Sequence, residues 1–86
     1  MELVKVSSGS TPKAVAGAIA AIIREGKKVE IQAVGAGAIN QAVKSMAIAR
    51  VYMSQEDVEI VCLPAFTEIE INGEPRTAMQ FIVEKR

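Results

Sequence analysis

The chain has 86 residues, half of them apolar and 3% aromatic, and ten Lys and Arg balance ten Asp and Glu. This length predicts one small domain over residues 1–86, with a modest core that oligomerisation would help to stabilise. Zero net charge argues against a protein that coats DNA nonspecifically, although a local basic patch is compatible with a neutral total.

Turn residues divide the chain into alternating strands and helices. Pro12 opens a helix with Thr11 as its cap, and Gly26 ends it. This first helix is apolar around much of its circumference, so we expect it to pack closely on more than one side. Asn72-Gly73 is a strong signal for a β-hairpin. The expected elements are strand Leu3 to Val6, helix Pro12 to Glu25, strand Val29 to Val34, helix Ala38 to Met53, strand Val58 to Leu63, strand Phe66 to Ile71 after a bend or bulge at Pro64, and strand Thr77 to Val83.

The order βαβαββ predicts an α+β fold in two layers, with a four-stranded mixed sheet and two helices on one face. The first two strands are joined through a helix and should be parallel, whereas the last two form an antiparallel hairpin.

The second helix carries an apolar stripe that we expect to face the core. The stripe consists of Ala38, Ala42, Met46, Ala49 and Met53. The opposite side holds polar residues such as Ser45, together with Ile48, Val51 and Tyr52, which a solitary small domain would leave exposed to water. These three apolar residues predict a homodimer interface.

A glycine turn, Gly35-Ala-Gly37, connects the second strand to the second helix. Glycines allow a tight turn and a close approach of another molecule, and the free N–H groups of the following helix attract anions. Asn40 and Gln41 could add side-chain hydrogen bonds. Asn40 stands where the third glycine of a dinucleotide fingerprint would be, so a nucleotide cofactor is not expected. A purely structural turn is the alternative.

Catalysis and metal binding have few candidate residues. The chain has no His, and Cys62 lies within an apolar run, which predicts a buried structural thiol. We therefore expect no enzyme activity, no metal, no cofactor and no small-molecule substrate. The apolar stretch Ala14 to Ile23 is too short to cross a bilayer, and we expect a soluble cytoplasmic protein.

Among the basic residues, Lys13 starts the first predicted helix, Lys44 and Arg50 lie on the second, and Arg76 lies just beyond the hairpin turn. The more exposed face of the sheet is expected to carry acidic and amide side chains that would repel phosphate. These are Glu30, Gln32, Glu59, Glu68 and Glu70. Any nucleic acid should therefore contact the loops and the hairpin, and not the sheet face.

A family resemblance extends over nearly the whole chain. The segments that carry it are Val4-Lys-Val-Ser, Thr11-Pro12, Glu30-Ile-Gln-Ala-Val-Gly-Ala-Gly-Ala-Ile-Asn-Gln-Ala-Val-Lys44, Ala47-Ile-Ala-Arg50, Pro64-Ala-Phe-Thr67, Asn72-Gly73 and Arg76-Thr-Ala78. The chain closely resembles the bacterial stage V sporulation protein S family. The resemblance implies a regulatory protein of sporulation and cell development.

The element order and the helix start Gly37-Ala-Ile-Asn-Gln-Ala-Val43 are more remotely similar to the Alba family of nucleic-acid-binding proteins. That resemblance implies strand order 1-2-4-3, and a dimer that grips nucleic acid through loops near the helix N-termini and through the hairpin. Alba proteins carry paired lysines before the proline that opens the first helix, whereas this chain has Ser10-Thr11. The glycine turn also lacks their arginines. Weak, RNA-leaning or conditional binding is therefore expected, rather than a chromatin-like coating of DNA.

The sequence thus predicts a small dimeric DNA- or RNA-binding regulator. The alternative is a protein-interaction module that kept the Alba-like fold and lost nucleic-acid binding. The candidate nucleic-acid contacts are Ser10, Lys13, Gly35, Gly37, Asn40, Gln41, Lys44 and Arg76.

Overall fold

A computed structural model describes all residues from Met1 to Arg86, and its elements follow the expected order βαβαββ. Thr11 occupies the N-cap position of the first helix, although its hydroxyl makes no capping hydrogen bond. Neither helix is long and apolar enough to cross a membrane. The elements are β1 (Glu2–Val6), α1 (Pro12–Arg24), β2 (Val29–Ala33), α2 (Ala36–Ser54), β3 (Ile60–Ile71) and β4 (Glu74–Lys85).

The four strands form one mixed sheet in the order β1-β2-β4-β3, as the Alba resemblance implied. β1 and β2 are parallel, while β4 is antiparallel to both of its neighbours. Because β1 and β2 run in the same direction, the loops that follow them and the starts of both helices lie at one end of the sheet. We call this the loop end and define it by residues 7–13 and 34–44.

One face of the sheet is covered by the two helices, and the core lies between the layers. Val29, Ile31 and Ala33 of β2 are buried there with Val83 of β4. The expected stripe of α2 is confirmed, because all five of its residues are buried. Burying a Val or Ile side chain contributes about 1.5–3 kcal/mol, so these contacts hold the helices on the sheet.

α1 packs on one side only, which contradicts the prediction from its composition. A helix in a two-layer fold needs a single buried stripe, and here it is formed by Ala16, Ile19, Ala20 and Ile23. The opposite side carries small residues that remain exposed. They are Ala14, Gly17, Ala18 and Ala21.

β3 and β4 form a continuous hairpin in one-to-one register from Ile60 to Ile71, so the expected interruption at Pro64 is wrong. In a two-residue hairpin the residue pair next to the turn exchanges backbone hydrogen bonds, and so does every second pair after it. Pro75 pairs with Glu70 and Pro64 pairs with Phe81, and both pairs fall at positions without hydrogen bonds between the two strands. Neither proline therefore removes a hydrogen bond from the hairpin. At the turn, Asn72 and Gly73 have φ angles of 52° and 79°, the positive values that a type I′ turn requires.

Cys62 is exposed, contrary to the prediction of a buried thiol. It pairs with the buried Val83 and so points to the helix side of the sheet. β3 is an edge strand, however, and the layer of helices does not cover it beyond Ile60. Partial burial still raises the pKa of the thiol above its ordinary value, which keeps it protonated at neutral pH.

Candidate nucleic-acid interface

The turn between β2 and α2 has the geometry that its glycines predicted. Gly35 has φ 87° and ψ 158°, a conformation open to glycine alone, and α2 begins at the next residue. No side chain caps α2, and its first turn contains no acidic residue. The first N–H groups of α2 are therefore free to bind an anion.

Gly37 has a different role, because it allows the loop after β1 to lie against α2. A Cβ atom at Gly37 would come within 3.0 Å of the Cβ of Ser8. Gln41 reinforces this contact, since its Nε2 donates hydrogen bonds to the carbonyl oxygens of Ser8 (3.3 Å) and Ser10 (3.1 Å). The side chain of Gln41 thus holds the loop in place.

Ser10 is also engaged within the loop. Its Oγ accepts a hydrogen bond from the backbone N–H of Ser7 at 2.9 Å, and the Ser7 carbonyl accepts one from the N–H of Ser10 at 3.1 Å. Asn40, by contrast, is exposed at the start of α2, and its side chain makes no hydrogen bond within the protein. Of the three predicted polar ligands, Asn40 is the one whose side chain is free.

Lys13 and Lys44 come together at the rim of a groove between the start of α1 and α2. The groove has a volume of about 530 Å³, and apolar atoms form its inner surface. Both lysines are exposed and neither is in an ion pair. We call this feature the lysine groove; its lining residues are Thr11, Pro12, Lys13, Lys44, Ala47 and Ile48.

Arg76 lies apart from the lysine groove. The last pair between β2 and β4 is Ala33 with Met79, and Arg76 is three residues further along the projecting hairpin. At about 3.4 Å per residue this is roughly 10 Å along the strand from the last pair with β2. The hairpin bends towards the loop after β1, because Ile69, Glu70 and Ile71 line a cavity of about 420 Å³ with residues 5–8.

The ion pairs of the molecule are confined to one of its ends. All five ion pairs lie at the end opposite the loops, where α1 ends and β2 begins. They join Arg24 to Glu56, Lys27 to Glu2 and Glu25, Lys28 to Glu84, and Arg86 to Glu59. Arg24 and Glu56 are joined by three hydrogen bonds, which raise the pKa of Arg24 and lower that of Glu56. At the loop end and on the hairpin no residue is in an ion pair: Lys5, Lys13, Lys44 and Arg76 are unpaired there, as are Glu68, Glu70 and Glu74 of the hairpin. Arg50 and Lys85 are also unpaired, and neither lies at the loop end.

The expected acidic face of the sheet is only partly present. The cross-strand row Glu30, Ile82, Leu63 shows that Glu30 shares its face with the odd-numbered residues of β3. Glu68 and Glu70 therefore point to the helix side of the hairpin, on the face opposite to Glu30. The prediction failed because Pro64 does not shift the alternation of β3.

The predicted dimer residues differ in exposure. Ile48 and Tyr52 are half-buried and pack against the core of their own chain, whereas Val51 is 55% exposed. Ser45, expected on the same outer side, is fully buried and donates its hydroxyl to the Gln41 carbonyl at 2.7 Å. The most exposed aromatic residue is Phe66, at 80%, which the alternation along β3 did not reveal.

The fold and this end of the molecule define a small two-layer α+β protein with a basic loop end, an uncapped helix start and a projecting hairpin. The family comparison is more specific. The model of the family described as stage V sporulation protein S (SpoVS) matches residues 2–86, and the chain belongs to this family. It is thus a sporulation-related protein.

Proposed function

We propose that this SpoVS protein is a non-enzymatic regulator that binds nucleic acid through its loop end. The observation that supports this most strongly is the position of the unpaired lysines. Ion pairs neutralise the opposite end of the molecule, while Lys13 and Lys44 line one groove without acidic partners. The free N–H groups at the start of α2 lie roughly 12 Å along the helix axis from Lys44. A neutral total charge is therefore compatible with a local phosphate site.

The polar groups of the loop end suit the phosphate backbone better than base edges. Backbone N–H groups and lysines bind phosphate without reading sequence. Gln41 and Ser10 are already engaged in holding the loop, which leaves Asn40 as a free amide. The proposed binding is accordingly weak and of low sequence specificity.

Charge reversal tests this proposal by fluorescence anisotropy with short DNA and RNA at low salt. Lys13→Glu and Lys44→Glu should each weaken binding, and Arg76→Glu should do so if the ligand extends to the hairpin. Lys85→Glu is the matched control, because Lys85 is exposed, lacks an ion pair and lies at the opposite end of β4. Equal effects of Lys85→Glu and Lys44→Glu would contradict a localised site.

Homodimerisation and a cytoplasmic setting are part of the same proposal. Val51 supports homodimerisation, because it is an exposed apolar residue on the outer side of α2. The free thiol of Cys62 supports a cytoplasmic setting, since a reducing compartment keeps an exposed thiol reduced. Light scattering at micromolar concentration tests the dimer, and a monomer mass would refute it.

A protein-interaction module is the second candidate. Its support is the 80% exposure of Phe66, because soluble domains seldom leave a large aromatic side chain in water. This candidate predicts no change in anisotropy with any nucleic acid at low salt, and a stable complex with a purified protein partner that Phe66→Ala disrupts.

A further inference from the structure

The projecting hairpin has a chemically distinct face on the helix side of the sheet. Phe66 is 80% exposed there, opposite Met79 on β4. Glu68 and Glu70 follow on the same face at intervals of about 6.6 Å, the spacing of alternate residues in a strand. Neither glutamate is in an ion pair within the chain. This face therefore presents one aromatic ring followed by two free carboxylates.

The lysine groove has the complementary chemistry. Its inner surface is apolar, with Pro12, Ala47 and Ile48 among the lining residues, and Lys13 and Lys44 stand at its rim without acidic partners. Its volume of about 530 Å³ is in the range of pockets that hold small organic groups. Because Phe66 is exposed to solvent, the groove of its own chain does not hold it.

We propose that the lysine groove binds the hairpin of a second copy of this chain. Phe66 of the second copy enters the apolar part of the groove, and its two glutamates pair with the lysines at the rim. Each copy carries one groove and one hairpin, so a two-fold dimer makes the contact twice. Charge complementarity favours this occupant, because a hairpin bearing two carboxylates meets two unpaired lysines.

This inference rests on the homodimer in the proposed function, but it places the contact at the lysine groove and the hairpin. Of the three interface residues predicted from sequence, only Ile48 lies in the groove, and Val51 and Tyr52 lie outside it. The proposed contact also has a consequence for nucleic acid. Lys13 and Lys44 cannot pair with glutamate and phosphate at once, so a second copy and nucleic acid compete for the same groove. The dimer is then the form in which the lysines are covered.

A reciprocal charge swap tests the contact by sedimentation velocity at low salt without nucleic acid. One variant carries Lys13→Glu and Lys44→Glu, and the other carries Glu68→Lys and Glu70→Lys. Each variant alone should dimerise at least about tenfold more weakly than the wild type, because both of its contacts oppose like charges. An equimolar mixture should recover dimers, since the mixed dimer has one native and one reversed contact. Circular dichroism confirms that each variant is folded.

Phe66→Ala provides an independent test against Leu63→Ala as its control. Leu63 is 53% exposed on the same strand but on the opposite face of the sheet. Loss of a central aromatic anchor should weaken the dimer about tenfold or more, whereas Leu63→Ala should leave it unchanged.

Three outcomes would overturn the inference. A monomeric wild type would contradict both the homodimer and this contact. A wild-type dimer whose charge-swap variants still dimerise alone, or whose mixture stays monomeric, would contradict this contact only. Equal effects of Phe66→Ala and Leu63→Ala would likewise exclude the groove as the binding site. None of these measurements involves nucleic acid, so the proposed binding function is tested separately.

Discussion

Gly35→Ala should destabilise the protein, while Gly17→Ala should stabilise it. Gly35 has a φ of 87°, where an L-residue is strained whatever space surrounds it, and such strain costs about 1–3 kcal/mol. Gly17 lies in the interior of α1 on its exposed side, with no heavy atom within 4 Å of an added Cβ. Alanine there should add about 0.8–1 kcal/mol through helix propensity.

Thermal unfolding followed by circular dichroism measures both effects. For a domain of this size about 1 kcal/mol shifts Tm by roughly 4–8 °C. Gly35→Ala should therefore lower Tm by roughly 4–24 °C, and Gly17→Ala should raise it by roughly 3–8 °C. An unchanged or raised Tm for Gly35→Ala would show that the turn does not need glycine. The link between this turn and the start of α2 would then be wrong.

Three further changes separate structural residues from exposed ones. Phe81→Ala should cost about 3–5 kcal/mol of unfolding free energy because Phe81 is buried, while Phe66→Ala should change the stability of the monomer by no more than about 0.5 kcal/mol. Urea titration of the two variants measures both values. Equal losses of stability would contradict the exposure of Phe66. Gln41→Ala removes two hydrogen bonds to the loop after β1 and should lower the unfolding free energy by about 1–2 kcal/mol. Hydrogen exchange should show faster exchange of the backbone amides in residues 7–10. Unchanged exchange would contradict the role of Gln41 in holding this loop. Glu56 has a lowered pKa owing to its hydrogen bonds with Arg24, so its contribution to stability is present above the pKa of the unfolded state and is lost as pH falls through the folded pKa. Glu56→Gln should flatten the acid limb of a plot of Tm against pH, and an unaltered limb would argue against the pair.

Local signals were sufficient to predict the order of the elements and the turns, although not the continuity of β3 through Pro64. Gly35 and Gly37 mark the start of α2, and Asn72-Gly73 marks the hairpin, because each turn needs a backbone conformation or a close approach that few residues allow. The core stripe of α2 followed from helical periodicity, which reports directly on one buried face.

Predictions that depended on how far one layer covers the other were less successful. Cys62 is exposed because β3 extends past the helices, and α1 is half-exposed because nothing lies above it in a single chain. Helical periodicity also misplaced Ser45, since a buried hydroxyl that bonds to its own helix resembles a polar surface residue in sequence.

In the candidate site, too, local features could be predicted from sequence, whereas features that depend on packing could not. The glycine turn and Lys13 could be recognised from sequence because each lies at the start of a helix. The lysine groove could not, since Lys13 and Lys44 are 31 positions apart and meet only when the two helices pack. The internal role of Gln41 likewise depends on the path of a distant loop.

The dependence of nucleic-acid affinity on salt tests the central claim most directly. With Lys13, Lys44 and Arg76 as phosphate contacts, log K against log salt should have a slope of about −2 for single strands and about −3 for duplexes. Between about 50 and 200 mM salt this corresponds to a loss of roughly 20-fold for single strands or 40-fold for duplexes. Absence of binding at the lower salt, or binding that does not vary with salt, would contradict a phosphate site at the loop end.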